Sequence, residues 1–148
     1  GLNRLHQFDK VEIVRIEKPN NSKVALSGMV DHVKNILAEL ELPFRILKLC
    51  GGDLGFTSAL TFDFEVYSAA QERWLEVSSV STFNSFQAER LKIRYKDSKG
   101  KKALVHTLNG SSLAIPRVVA GLLENFQFKS GIKIPEALIA YTGFEMID

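Results

Sequence analysis

The sequence predicts an α+β domain, an antiparallel sheet flanked by helices. Three observations point there: several short runs alternate apolar and polar residues with a period of two, hairpin-length connections join them, and the helical-period segments stand apart from the strands. The chain has 148 residues, 45% hydrophobic and 24% charged, which suits one compact unit with a core of its own.

The opening stretch, LHQFDKVEI at 5–13, reads as a strand continued to Ile16. The two-residue period puts His6, Phe8, Lys10, Glu12, Val14 and Ile16 on one face, and Gln7, Asp9, Val11, Ile13 and Arg15 on the other. Phe8 and Glu12 would then stand roughly 13 Å apart along one extended ligand. After KPNNS, Val24, Leu26, Met29, Val30, Val33, Ile36, Leu37 and Leu40 recur at helical spacing, with Asn21 or Ser22 as cap and Pro43 as stop. FRILKLC predicts a second strand, and Cys50 at its end reads as buried and inert. TFDFEVY and WLEVSSVS both alternate, and the short SAAQER between them predicts an antiparallel pair. In the second of these, Trp74, Glu76 and Ser78 oppose Leu75, Val77 and Ser79. LKIRYK and KALVHTL form a further hairpin through DSKG, whose Gly100 suits the turn. NGSSLAIPRVVAGLLENF leaves that strand and opens a helix, with a serine as cap and Pro116 in the first turn. The last residues, from SGIKIPEAL onward, read as a turn and a short apolar tail.

Composition excludes several function classes. A net charge of +2 with both signs interspersed gives no broad basic field that would by itself predict nucleic-acid binding. The longest apolar run, LAIPRVVAGLL, is broken by Pro116 and Arg117 and is too short to cross a membrane. One cysteine rules out an internal disulfide and fits a reducing compartment, with the cytoplasm as the default. His6, His32, His106 and Cys50 lack zinc-ligand spacing. GGDLG lacks the lysine and hydroxyl residue of a phosphate loop, and Ser111 does not sit in a nucleophile elbow.

Three polar clusters interrupt the strands: Phe8 with Glu12; Glu76 with Ser78 and Ser79; and Asn109 to Ser112 leading to Arg117. A carboxylate beside hydroxyls on a sheet can hold a hard cation such as Mg²⁺, an aromatic ring can stack on a base, and an arginine at a helix start can clamp a phosphate. Singly, each has a plainer reading as a solvated acid, a core aromatic or a surface arginine.

Together the clusters resemble the seryl-tRNA synthetase family, of the antiparallel-sheet class of synthetases. GLNRLHQFDKVE resembles the second half of its motif 2, LEVSSVSTFNSFQAER its ATP- and magnesium-binding strand, and HTLNGSSLAIPRVVAGLLEN its motif 3. The resemblance implies ligation of L-serine to tRNA(Ser) through a seryl-adenylate, with ATP and Mg²⁺, in a cytoplasmic homodimer. Arg4 would contact ATP, Phe8 would stack on adenine, and Glu12 would hold the serine ammonium. Glu76 and Ser79 would carry Mg²⁺, with Val77 and Ser78 completing the nucleotide-binding stretch. Asn109 and Ser111 would read the serine side chain, and Arg117 would grip the γ-phosphate. Glu89, Ser112, Pro116 and Gly51 depart from the family's common residues. The resemblance also implies that residues 1–148 are the C-terminal part of the catalytic domain, beginning within motif 2 and lacking motif 1 and the tRNA-gripping arm. Little adenylation activity is then expected of this portion alone, together with self-association through uncovered strand edges. A non-catalytic relative acting as a binding module, or a ligase charging a carrier protein, would be the alternatives.

Overall fold

The computed structural model describes residues 3–148. Its centre is a five-stranded antiparallel sheet in the order β1-β7-β4-β3-β2. The strands are β1 (Lys10–Glu17), β2 (Phe44–Lys48), β3 (Leu60–Ser68), β4 (Arg73–Thr82) and β7 (His106–Ala114). Two helices, α1 (Ser22–Glu39) and α3 (Ile115–Asn125), pack on one face, and a short helix, α2 (Phe86–Leu91), follows β4. A small hairpin of β5 (Arg94–Lys96) and β6 (Lys102–Leu104) leads into β7.

The core follows from the two periods in the sequence. Val33 and Leu37 of α1 are fully buried against Phe64 of β3, Val80 of β4 and Leu108 of β7. Alternate residues of β3 and β7 therefore face the helices, and the residues between them face the opposite, open side. Burying each such large side chain contributes about 1.5–3 kcal/mol. Val24, expected on the buried stripe of α1, instead faces solvent. α3 is tied to the β3–β4 hairpin by polar contacts: Ser68 Oγ donates to Glu124 Oε2 at 2.6 Å, and the Asn125 side-chain amide donates to the Tyr67 carbonyl at 2.8 Å.

Four further expectations are corrected. First, β1 begins at Lys10, and residues 3–9 form turns and bends, so Phe8 is not on the strand face that carries Glu12. The reason is pairing: β7, the partner of β1, ends at Ala114 opposite Lys10, leaving no ladder for the preceding residues. Second, no serine caps α3. Ser111 and Ser112 lie within β7, whose backbone is taken up by its neighbours in the sheet, and the helix starts after Ala114 with Pro116 in its first turn. Third, Cys50 is exposed, because β2 stops at Lys48 and the cysteine falls in the following turn, where its thiol meets Asp53 Oδ2 at 3.3 Å. Fourth, the apolar tail is structured. β8 (Gln127–Phe128), β9 (Gly131–Lys133) and β10 (Met146–Ile147) form a three-stranded sheet around α4 (Glu136–Thr142). Gly131 has φ +129°, and a Cβ there would lie 2.2 Å from the Ile147 carbonyl oxygen, so only glycine fits this crossing.

Candidate active site

A single irregularity in β4 adds two polar residues to the same part of the open face. The β3–β4 register runs Val66↔Leu75 and Glu65↔Glu76, then skips a residue to Phe64↔Ser78 and Asp63↔Ser79. Val77 is the extra residue, and both it and Ser78 are buried, at 1% and 2% exposure. Two consecutive side chains thus turn to the core. Strict alternation would have set Glu76 and Ser79 on opposite faces; the bulge brings both to the open side, beside Asp63 and Glu65.

The side chains of Val77 and Ser78 point away from the open face, which leaves their backbone as the part that could meet a ligand bound there. Ser78 Oγ instead donates to the Ser111 carbonyl at 2.6 Å. It does so where the β4–β7 ladder has stopped, since their pairing covers only Val80↔Gly110 through Thr82↔Leu108.

Where the two strands part, the candidate residues gather. Ser81↔Asn109 and Glu12↔Ser111 are cross-strand partners, which puts Asn109, Ser111 and Glu12 on the open face. Ser111 Oγ lies 3.4 Å from Glu12 Oε2, and Lys10 Nζ stands 3.0 Å from the same oxygen. Glu12 therefore faces one ammonium and one hydroxyl of the protein. Arg117, in the first turn of α3, donates through Nη1 to the Glu76 carbonyl at 2.5 Å and through Nε to the Asn3 carbonyl at 3.0 Å. Its guanidinium, Arg4 and the Phe8 ring line one cavity of about 310 Å³ with Asn3, Leu5, Ala114 and Pro116. Although it left the strand, Phe8 thus shares a cavity with Arg117 from the segment before β1.

The electrostatics centre on two acids. The Glu76 carboxyl is pushed above its ordinary value by burial first and by the Asp63 charge second, with Arg117 opposing. Asp63 is raised by burial, drawn partly back by the Ser79 hydroxyl across the strand, and raised again by Glu65 and Asp53. Asp63 Oδ1 is buried with no hydrogen-bond partner among the described residues. Asp63 was not singled out in the sequence, although the alternation of TFDFEVY already put it opposite the core; the missing signal was the bulge that delivers Glu76 and Ser79 to it.

The donor set fits Mg²⁺. Carboxylate and hydroxyl oxygens converge, one carboxylate oxygen is unpartnered, and both acids resist ionisation in the absence of a compensating cation. Among the described residues no group of three or more His, Cys, Asp or Glu side chains could hold a metal ion by itself. Beside this cluster the open face is walled by Arg45, whose Nε donates to Glu65 Oε2 at 2.5 Å and whose guanidinium lies 4.7 Å from the centre of the Trp74 ring. No helix among the described residues is long and apolar enough to cross a membrane.

Comparison with known proteins gives the family and the fold. The family model of the tRNA synthetase class II core domain (G, H, P, S and T) matches residues 1–126. The serine–tRNA ligase of Salinibacter ruber is 59% identical over 99% of the chain, and that of Chromobacterium violaceum 52% identical over 99%. The chain spans 35% of the length of each of these relatives. Among solved structures, seryl-tRNA synthetase from Pyrococcus horikoshii complexed with ATP superposes with a TM-score of 0.94 at 35% identity, over 100% of this chain and 34% of that one. Cytoplasmic serine–tRNA ligase from Naegleria fowleri in complex with AMP gives 0.92 at 27% identity, covering 100% and 36%.

Proposed function

Since the chain belongs to the tRNA synthetase class II core domain family, we propose that it is the part of a serine–tRNA ligase that holds the seryl-adenylate. The observation that carries the reading is convergence. Glu12 and Ser111, Glu76 and Ser79, and Arg117 with Phe8 come from three distant stretches of sequence and meet where β4 and β7 separate.

The chemistry asked of such a site is attack by a serine carboxylate oxygen on the α-phosphorus of ATP. A new O–P bond forms as the bond to the β-phosphate breaks and pyrophosphate leaves. A ribose hydroxyl at the end of tRNA(Ser) then attacks the activated carbonyl, and AMP departs. Neither step needs a protein nucleophile, so the contribution of the residues is alignment and charge placement. Glu12 takes the serine ammonium in the position beside Oε2 that the Lys10 ammonium holds here. Ser111, with Asn109 two residues before it on the same face, bonds the serine hydroxyl. An alanine in that place would leave these groups unpaired, which is the physical basis of rejecting it. Phe8 stacks on the adenine, with Arg4 beside it in the cavity, and Arg117 offers its guanidinium to a phosphate. Glu76 and Ser79, backed by Asp63, would hold Mg²⁺. That ion supplies charge neutralisation on the ATP phosphates when bound.

The reading extends to a cytoplasmic homodimer. The homodimer belongs to the protein at its natural length; in the portion described here, Val11, Val14 and Ile16 are exposed on β1, an edge strand of the described sheet, which supports self-association of this portion or pairing with a further strand. Titration of the protein at its natural length with a sulfamoyl analogue of seryl-adenylate tests the site. Tight binding that Phe8→Ala and Glu12→Gln each weaken supports it, and binding indifferent to both substitutions overturns it.

A further inference from the structure

The net charge of +2 conceals a strong asymmetry. Residues 90–102, RLKIRYKDSKGKK, hold seven of the nineteen lysines and arginines against a single acid, a local charge of +6 that leaves −4 on the remainder. The structure gathers this charge on one arm, the last turn of α2 and the β5–β6 hairpin, and all seven cationic residues are exposed. Ion pairs among the described residues involve none of them.

A run of surface lysines is ordinarily only a solvated face. Two features distinguish this arm. Lys96 and Lys102 are direct cross-strand partners, and Arg94 lies two residues before Lys96 on the same face of the hairpin. Like charges set opposite one another destabilise a strand pair, so the hairpin carries a cost that an external anion would relieve. The one acid cannot relieve it, because Asp97 Oδ1 accepts the backbone N–H groups of Lys99 and Lys101, both at 2.9 Å, and is held in the turn. At the start of the arm, the Arg90 guanidinium lies over the Phe86 ring at 3.4 Å, and Phe86 meets the edge of Phe56, which is 91% exposed. Cations interleaved with an exposed aromatic ring are the surface that binds a nucleic-acid backbone and stacks an unpaired base.

We propose that the arm formed by residues 90–102 is a contact surface for the phosphate backbone of the substrate RNA. The inference rests on the ligase reading and adds to it the means by which the RNA end is presented. The hairpin runs directly into β7, the strand that carries Asn109 and Ser111. From His106 to Ser111 is roughly 17 Å of strand, so RNA lying on the arm has its end within reach of the site.

The test is the double substitution Lys96→Gln/Lys102→Gln in the protein at its natural length. Removing the like-charge pair relieves repulsion, so a lost fold cannot account for lost binding. The paired control is Lys23→Gln/Lys34→Gln on the exposed side of α1. The dissociation constant for a tRNA(Ser) transcript is measured by fluorescence anisotropy across a salt series, beside serine-dependent ATP–pyrophosphate exchange. Two lost phosphate contacts lower the slope of log K against log salt by about 1.4–1.8 and weaken binding about tenfold near physiological salt. The control is unchanged, and exchange, which needs no RNA, is retained. An unchanged slope and affinity overturn the proposal while intact exchange leaves the ligase reading standing. Absence of exchange in the unsubstituted protein sinks that reading instead. Weakened binding to phosphatidylserine–phosphatidylcholine vesicles with tRNA binding unaltered also overturns the proposal, in favour of a membrane surface.

Discussion

Gly110→Ala is the perturbation whose effect the structure defines most narrowly. Gly110 sits opposite Val80 at the last paired position before β4 and β7 diverge, between the two open-face residues Asn109 and Ser111. A Cβ at this position would lie 2.8 Å from Val80 Cγ2, 3.0 Å from Val80 Cα and 3.1 Å from the Ser79 carbonyl oxygen. Two of those three atoms are backbone, so no rotamer change relieves them and the strands must part. Overpacking of this kind costs about 1–3 kcal/mol. At roughly 2–4 °C per kcal/mol for a domain of this size, a central value of about 2 kcal/mol lowers the melting temperature by about 4–8 °C. Because the strain falls on the backbone of Ser79 and between Asn109 and Ser111, the serine and cation positions shift together. Displacement of a substrate-aligning group by about 1 Å costs around a hundredfold in rate. Differential scanning calorimetry and pyrophosphate exchange measure the two effects. A variant with an unchanged melting temperature and full exchange would refute the close approach of the strands and the placement of the site on it.

Two further outcomes follow from the same geometry. Glu12→Gln removes the charge facing the amino-acid ammonium, and a lost charge-assisted bond of about 1.5–3 kcal/mol lowers kcat/KM for serine by about 10–150-fold while the KM for ATP holds; equal loss for both substrates would contradict the assignment. Asp63→Asn probes the raised carboxyl. The folded protein binds a proton more readily than the unfolded chain, so stability falls as pH rises from the ordinary carboxylate range through the raised value, and the deficit persists at neutral pH. The amide should therefore raise the melting temperature at pH 7, with the gain vanishing on acidification, and weaken Mg²⁺ binding read by paramagnetic Mn²⁺ competition. A variant less stable at pH 7 than at pH 4, relative to wild type, would reverse that sign.

The long periodic elements were legible because a period of 3.6 or 2 sustained over many residues leaves one arrangement that buries Val33, Leu37, Phe64 and Leu108 together. What escaped was set by partners rather than by local pattern. The start of β1 depends on where β7 ends, and the serine cap foreseen for α3 gave way to a strand because β1 pairs with β7 as far as Ala114. The bulge at Val77 leaves no mark in VSSVS, since a small serine tolerates either face; only the register with β3 decides it. The resemblance named Glu76 and Ser79 as a pair that strict alternation would have kept apart, and the bulge removes that conflict. The basic arm was missed for the opposite reason: the whole-chain charge averaged away a segment of +6.

The central claim is that these side chains form one site for serine and ATP. The most direct measurement is serine-dependent ATP–pyrophosphate exchange by the protein at its natural length, with alanine and threonine as competing amino acids. Exchange with serine, at least tenfold weaker with alanine and threonine and abolished by Arg117→Ala, is the result predicted. A folded protein that binds ATP yet shows no exchange with serine would contradict it.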